Sequence, residues 1–390
     1  MQVCDVFEII QSMKFKAKKE SLSLKNALNR VLADDIYAKK DLPAFDNSAL
    51  DGYAFDFKDK NEPLSVAGTI FAGDTKNYKL KKQTCYKIMT GAAFASGANT
   101  VVAIEDAKFD ENGALLVPQN IKENNARKFK GEEVRRGECI LKAGTTLRAC
   151  EIMLLASQGI NKIKVYKKPK IALLSSGSEI KEPWQKASSK QIYNANASGI
   201  LALLNDFEVD YFGIIKDNKK ELLKNLKKAL KYDIIITTGG ASKGDADYMT
   251  KCLEKLDFKA LFSSINFRPA KPTKLYKSAK NLAIVLPGNP LSCFIACYLF
   301  ALPILKKAMG CENALNPSFE ASFKGQIKLN AIRDNLVIGR YENGEFEAFN
   351  DGKFSPSQIS PLTKNNAFTI VSAGVSELKE KSLIKIYKIY

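Results

Sequence analysis

No histidine occurs anywhere in the 390 residues. That absence removes the usual general base, the Ser-His and Cys-His nucleophile pairs and the commonest zinc ligand, so any chemistry rests on carboxylates, lysines, backbone amides and hard metal ions. A membrane-spanning run is missing too: the most apolar stretch, LSCFIACYLFALPIL at 291–305, is shorter than the roughly 20 residues a bilayer span requires and contains Pro303. It is expected to be a buried helix. The eight cysteines are spread widely, and the nearest two, Cys293 and Cys297, lie one helical turn apart inside that run, as core residues in a reducing compartment would. The start, MQVCDVFEIIQSM, has neither a basic lead nor a small-residue cleavage site, so no signal peptide is expected. These absences predict a cytoplasmic protein.

What is present is an ordinary globular composition, 45% hydrophobic and 26% charged, in a chain long enough for two to four domains at roughly 100–200 residues each. The formal charge of +18 would attract anions. Its lysines are scattered, as in KAKKE, KLKK and KNLKKALK, without interleaved aromatics, and read as a solvated surface rather than a nucleic-acid or membrane platform. No repeat or low-complexity tract interrupts the chain.

Between Pro169 and Gly310 apolar strand-like runs alternate with helical segments: IALLSS, ASGILALLND, VDYFGII, a Lys-rich amphipathic stretch from about Lys219 to Leu230, DIIITT, DADYMTKCLEKL, LAIVLP and the apolar helix from Leu291. That alternation predicts a doubly wound parallel sheet covered on both faces, with its ligand crevice outside the carboxyl ends of the strands. Short strands punctuated by Gly, Pro and Asn occupy 48–128, and turns such as YENGEFEAF suggest a small β domain after Leu315.

The residues that follow the strands are polar and glycine-rich. TTGGASKGDADYM places Gly239, Gly240, Ser242 and Gly244 between a strand and a helix, either as a phosphate-binding turn or as a tight turn with Asp245 as helix cap. Asp247 follows in the first helical turn, and Glu179 in SSGSE and Asp217 in IIKDN hold comparable positions. Each alone reads as a cap or a surface acid; together beside a phosphate they form a natural Mg²⁺ ligand set. PGNP, with Pro287, Gly288, Asn289 and Pro290, is a stiff turn before a helix, and FRPAKP supplies Arg268 and Lys271 in proline-restrained backbone. Thr90 and Gly91 end a strand in KIMTGAAF. The stretch FDNSALDGYAF at 45–55 fits neither strand alternation nor helical spacing, and its Asp51 has no evident place in a core.

Taken in order, FDNSALDGYAF, YKIMTGAAFASGANTVVAIED, NARKFKGEEVRRGECILKAGTTL, KIALLSSGSEI, QIYNANASGILALL, DIIITTGGASKGDADYM, FRPAKP and LPGNPLSCF resemble the MoeA family, the molybdopterin molybdenumtransferases, seen also as the C-terminal domain of gephyrin. The resemblance implies an elongated linking domain (1–47 and 129–167), an inserted β domain (48–128), the α/β molybdopterin-binding domain (168–312) and a C-terminal β barrel (313–390). It implies a homodimer in which Asp51 of one chain faces the partner's crevice. The implied substrates are adenylylated molybdopterin and molybdate, with Mg²⁺-dependent release of AMP, and the molybdopterin adenylyltransferase and recipient apo-molybdoenzymes are the partners it suggests. Asp51, Thr90, Glu179, Asp217, Asp247, Pro287 and Pro290 match family functional positions, with Asp51 and the three acids after strands as the catalytic group. Arg268 replaces the usual Lys of KPGKP, Ala270 its Gly, and Glu133 the usual Asp of GED. A molybdopterin adenylyltransferase would not need the segment bearing Asp51 or the C-terminal domain, and a gephyrin-like scaffold would need further domains.

Overall fold

The computed structural model describes residues 1–216, 218–239 and 248–389. At its centre six strands form one sheet: β1 (Ile171–Ser176), β2 (Val209–Ile215), β3 (Ile234–Thr238), β4 (Lys259–Phe262), β5 (Lys274–Lys277) and β6 (Leu282–Leu286), in the order β2-β1-β3-β6-β5-β4. β1, β2, β3 and β6 are parallel, whereas β5 runs antiparallel to both β6 and β4. The sheet is therefore mixed at one edge, where the sequence had suggested a parallel one throughout. β4 and β5 each begin with a lysine and lack the continuous apolar run of a strand covered on both faces.

Every residue of β1, β3 and β6 is buried, because alternate side chains serve two cores. Ile171 and Leu173 pack with the helix Ala195–Leu203 and the apolar 290–308 helix; Ala172 and Leu174 pack with Lys219–Ala229 and Tyr248–Glu254. Helix Lys219–Ala229 shows why: Leu222, Leu226 and Ala229 are buried on one face, its lysines lie outside, and Asn218 caps it by accepting the Glu221 N–H at 2.9 Å. The apolar helix spans Pro290–Ala308 and is 72% buried. It widens into a π turn at Cys297–Ala301, just ahead of Pro303, which has no N–H to give.

The C-terminal strands β7 (Phe319–Lys324), β8 (Asp334–Glu342), β9 (Glu345–Ala348), β10 (Ala367–Val371) and β11 (Leu383–Lys388) close on themselves. β8 pairs with β9, β9 with β7, β7 with β11, β11 with β10 and β10 again with β8, a five-stranded barrel filled by Phe323, Val337, Phe346 and Ile386. The β8–β9 turn is Asn343–Gly344, both at positive φ, as an Asn-Gly hairpin requires. The barrel is tied to the central domain: the Asp334 carboxylate accepts the Val3 N–H at 2.7 Å, at the start of the N-terminal helix Val3–Ser12, and the Ala373 N–H at 2.8 Å.

Between that helix and the sheet the chain runs out and returns. Lys19–Ser23 pairs with Lys162–Tyr166, Ile36–Tyr37 with Cys139–Leu141, and Asn47–Ser48 with Arg127–Lys128, all antiparallel. Beyond the last pair lies a four-stranded sheet, ordered Ser65–Ile70, Thr84–Ile88, Gly52–Phe55, Thr100–Ala103, with its own apolar clusters around Ile88 and Phe55.

Candidate active site

The chain passes from β1 to β2 on one side and then crosses to β3 on the other, so the strand order reverses between β1 and β3 and a crevice opens outside their carboxyl ends. Glu179, exposed, follows β1 with its carboxylate folded over Gly177; a Cβ added there would meet both oxygens at 3.1 Å. Among the described residues no side chain pairs with it. Gly239 follows β3 at φ +81°, and a Cβ there would stand 2.1 Å from the Ser176 carbonyl oxygen, so glycine alone lets the two loops approach this closely. After β6, Pro287 is buried while Gly288 and Asn289 are exposed, and Pro290 opens the apolar helix at a position where no N–H is needed. The two glycine turns touch: a Cβ on Gly288 would lie 3.7 Å from the Gly239 Cα.

The FRPAKP arm joins β4 to β5 at the same edge, with Arg268 and Lys271 exposed. Its Phe267–Arg268 pairs in parallel with Asp334–Asn335 of β8, so the barrel braces it. Asp217, Gly240, Ser242, Gly244 and Asp247 lie outside the described residues, as does Asp245. Of the three acids expected to share a metal, the structure therefore describes Glu179, and among the described residues no group of three His, Cys, Asp or Glu is placed to hold an ion.

Polar side chains fix the crevice wall. Asn194 caps the helix Ala195–Leu203 and donates to Ser175 Oγ at 3.1 Å and to the Tyr211 hydroxyl at 2.7 Å, while Tyr211 donates to Glu182 Oε1 at 2.7 Å. Burial, reinforced by the Glu182 carboxylate, pushes the Tyr211 phenol well above its ordinary value, so it stays a donor. Asn196 donates to the Gly288 carbonyl at 2.8 Å, linking this wall to the PGNP turn.

Sequence reasoning missed three features here. Lys274 is 5% exposed at the start of β5, its ammonium 2.9 Å from Thr250 Oγ1, a buried cation on the crevice edge; the only signal was a charge beginning an apolar strand. The barrel loop at 355–357 meets the PGNP helix through the Leu291 N–H to Pro356 carbonyl bond at 3.1 Å. Arg127 is the third. It donates to Asp46 from Nε at 3.2 Å and lies over the Phe129 and Phe94 rings at 4.9 and 5.7 Å, while the Lys130 N–H reaches the other Asp46 oxygen at 2.7 Å. Burial raises the Asp46 carboxyl, but these bonds outweigh it and leave the pKa below the usual range.

Asp46 opens the DNSALDGYA stretch, which also carries Asp51. One Asp51 oxygen accepts both the Thr90 N–H at 2.6 Å and the Thr90 hydroxyl at 2.7 Å, and these bonds, the backbone one foremost, hold its pKa down. Gly52, next in sequence, has no room for a side chain: its Cβ would meet the Val102 carbonyl oxygen at 2.1 Å. Asp51 and Thr90 are thus brought together, both exposed. They are not brought to the crevice. Among the described residues no hydrogen bond, ion pair or ring contact joins residues 45–131 to residues 171–312.

Comparison with known proteins agrees with this architecture. Residues 1–159 match the MoeA N-terminal region (domain I and II), and residues 172–307 match a probable molybdopterin binding domain. A molybdopterin molybdenumtransferase of Haemophilus influenzae is 32% identical over 373 residues, 93% of this chain and 92% of its own length; one from Nostoc sp. is 30% identical over 386 residues, 95% and 88%. Two solved structures of a molybdopterin biosynthesis MoeA protein from Pyrococcus horikoshii, at 27% and 24% identity, cover the whole chain with TM-scores of 0.80 and 0.85, and 99% and 100% of their own chains. With residues 1–159 and 172–307 matched and a relative 32% identical along nearly its full length, the chain belongs to the MoeA family, the molybdopterin molybdenumtransferases of molybdenum cofactor biosynthesis.

Proposed function

We propose that this enzyme takes adenylylated molybdopterin and molybdate, releases AMP and leaves molybdenum on the dithiolene, at a site shared between two chains. The observation that carries this reading is the separation just described: a fixed, exposed Asp51–Thr90 pair on one lobe and an exposed crevice around Glu179 on another. Two half-sites that do not meet within a chain are explained if each completes the other's across a homodimer.

Within the crevice, Gly239 carries no side chain to obstruct phosphate oxygens, and Arg268, Lys271 and Lys274 set positive charge along the same edge. Pro287, Gly288, Asn289 and Pro290 form a wall held by Asn196 and by the barrel loop. The Glu179 carboxylate, exposed and without a side-chain partner among the described residues, offers the hard oxygen donors that suit Mg²⁺, and Asp217 and Asp247 would complete the set. Such an ion, when bound, neutralises phosphate charge and lets carboxylates stand beside an anionic substrate. Charge neutralisation and positioning suffice for anhydride cleavage, so a histidine-free chain is not handicapped.

We place the boundaries of the inserted β domain at 48 and 128, between the last ribbon pair, and the reaction in the cytoplasm, where eight free cysteines remain reduced. The match of residues 1–159 favours the transferase over an adenylyltransferase. Incubation with adenylylated molybdopterin, molybdate and Mg²⁺ is expected to release AMP and to reconstitute an apo-molybdoenzyme. Full AMP release in excess chelator would remove the metal assignment; no reconstitution under any condition would remove the reaction.

A further inference from the structure

A groove of about 860 Å³ lies at the amino ends of β1, β3 and β6, the sheet edge opposite the crevice. Nine of its 23 lining residues are lysines and one, Asp233, is acidic, against 60 lysines and arginines in the 390-residue chain. This is a concentration of charge, not a sample of the surface. Asp233 is already engaged, since one of its oxygens accepts the Lys170 N–H at 2.8 Å. Among the described residues none of the nine lysines makes an ion pair; Lys168 donates to the Asp206 carbonyl, and the other eight are exposed. Cationic walls around a concave floor focus potential and draw in anions.

One wall has a second property. From Lys14 to Ala17 the backbone makes no hydrogen bond among the described residues, although the next residues continue into the ribbon, whose last rung is the Lys167 N–H to Lys18 carbonyl bond at 2.7 Å. Exposure alternates along it: Lys14, Lys16 and Lys18 are exposed, Phe15 and Ala17 half-buried. It leads into the ribbon strand Lys19–Ser23 with its own N–H and C=O groups unbonded among the described residues, beside a cationic channel.

We propose that this groove docks an extended acidic segment of a partner protein. The segment adds as a strand to the unbonded backbone at 14–17, sets its carboxylates against the lysines, and turns alternate apolar side chains towards Met13 and Leu261, which line the groove. Nucleic acid fits less well: the lining has no arginine for bidentate phosphate contacts and one aromatic, Phe15, which is half-buried and offers no stacking platform. Docking on this edge leaves the crevice open, because the two lie at opposite ends of strands roughly 15–20 Å long.

The test uses the full-length protein and a fluorescent peptide of alternating Glu and Val, about ten residues long, the reach of an added strand. Saturable binding is expected, weakened at least about tenfold by the triple change Lys14→Glu, Lys16→Glu, Lys18→Glu, and weakened similarly when alternate peptide amides are N-methylated with charge unchanged. Thermal melting verifies that the triple variant is folded; if it is not, the N-methylated peptide on the unaltered protein decides. Equal binding of the methylated and parent peptides, equal binding of an oligothymidylate of matched charge, or unchanged binding by the folded triple variant overturns the proposal. So does a change of oligomeric state in that variant, which would make the groove a contact between copies of this chain.

Discussion

Asp51 combines exposure with fixed geometry, and its consequences can be measured one side chain at a time. Asp51→Ala is expected to leave thermal stability within about 0.5 kcal/mol, as exposed substitutions do, yet to lower turnover about 10- to 100-fold or more. Because its two Thr90 bonds depress the folded pKa, Asp51 is ionised throughout the neutral range, and whatever those bonds add to stability is lost only as pH falls below the ordinary carboxylate value of about 3.9. Thr90→Val removes the hydroxyl bond but keeps the N–H; the acid limb of the AMP-release profile is expected to move to higher pH, and an unmoved limb would deny the hydroxyl its part. The thiols offer a separate check. Burial pushes Cys85 and Cys297 up to about 12, whereas Cys4 and Cys150 are exposed, so iodoacetamide at neutral pH should alkylate the latter pair and spare the former until the chain unfolds. The Asp51–Thr90 pairing was not readable in advance: the partners stand 39 residues apart in segments without periodicity, and only the sheet that joins Gly52–Phe55 to Thr84–Ile88 brings them together.

At the level of elements, the legible parts were those whose residues answer to their own neighbours. IALLSS, DIIITT and LAIVL announce buried parallel strands because both faces are covered, and YENGEF announces its hairpin because Asn-Gly tolerates positive φ. β4 and β5 escaped notice because short strands that begin with lysine obey tertiary placement more than local pattern. The barrel loop against the PGNP helix escaped for the same reason, since Leu291 and Pro356 meet only after both domains have formed. The two glycine turns separate packing from function. Gly239→Ala forces a Cβ into the Ser176 carbonyl at positive φ and is expected to cost about 1–3 kcal/mol in urea unfolding. Gly288→Ala meets nothing nearer than 3.7 Å and is expected to stay within about 0.5 kcal/mol of the parent; equal losses would mean that the loops are not held as close as described.

The whole molecule is where the shared site stands or falls. If Asp51 of one chain completes the crevice of another, a heterodimer of Asp51→Ala and Glu179→Ala chains contains one site with both defects and one with neither. Mixing the two inactive variants under conditions that exchange subunits is therefore expected to restore up to about half of the parental rate per heterodimer, whereas activity no higher than either variant alone would sink the shared-site reading. The out-and-back ribbons that carry Asp51 bear on how this architecture tolerates change in length. Doubling the chain enclosed between Ser48 and Arg127 would add only about 0.6 kcal/mol of closure entropy, so the outer lobe is free to gain or shed loops at its far side. A single residue inserted into one ribbon strand is a different matter. It would slip the Asn47–Lys128 register, turn the following side chains to the opposite face and re-aim the carboxylate at the arm's end. Drift in length is thus expected to be permitted beyond the ribbons and excluded within them.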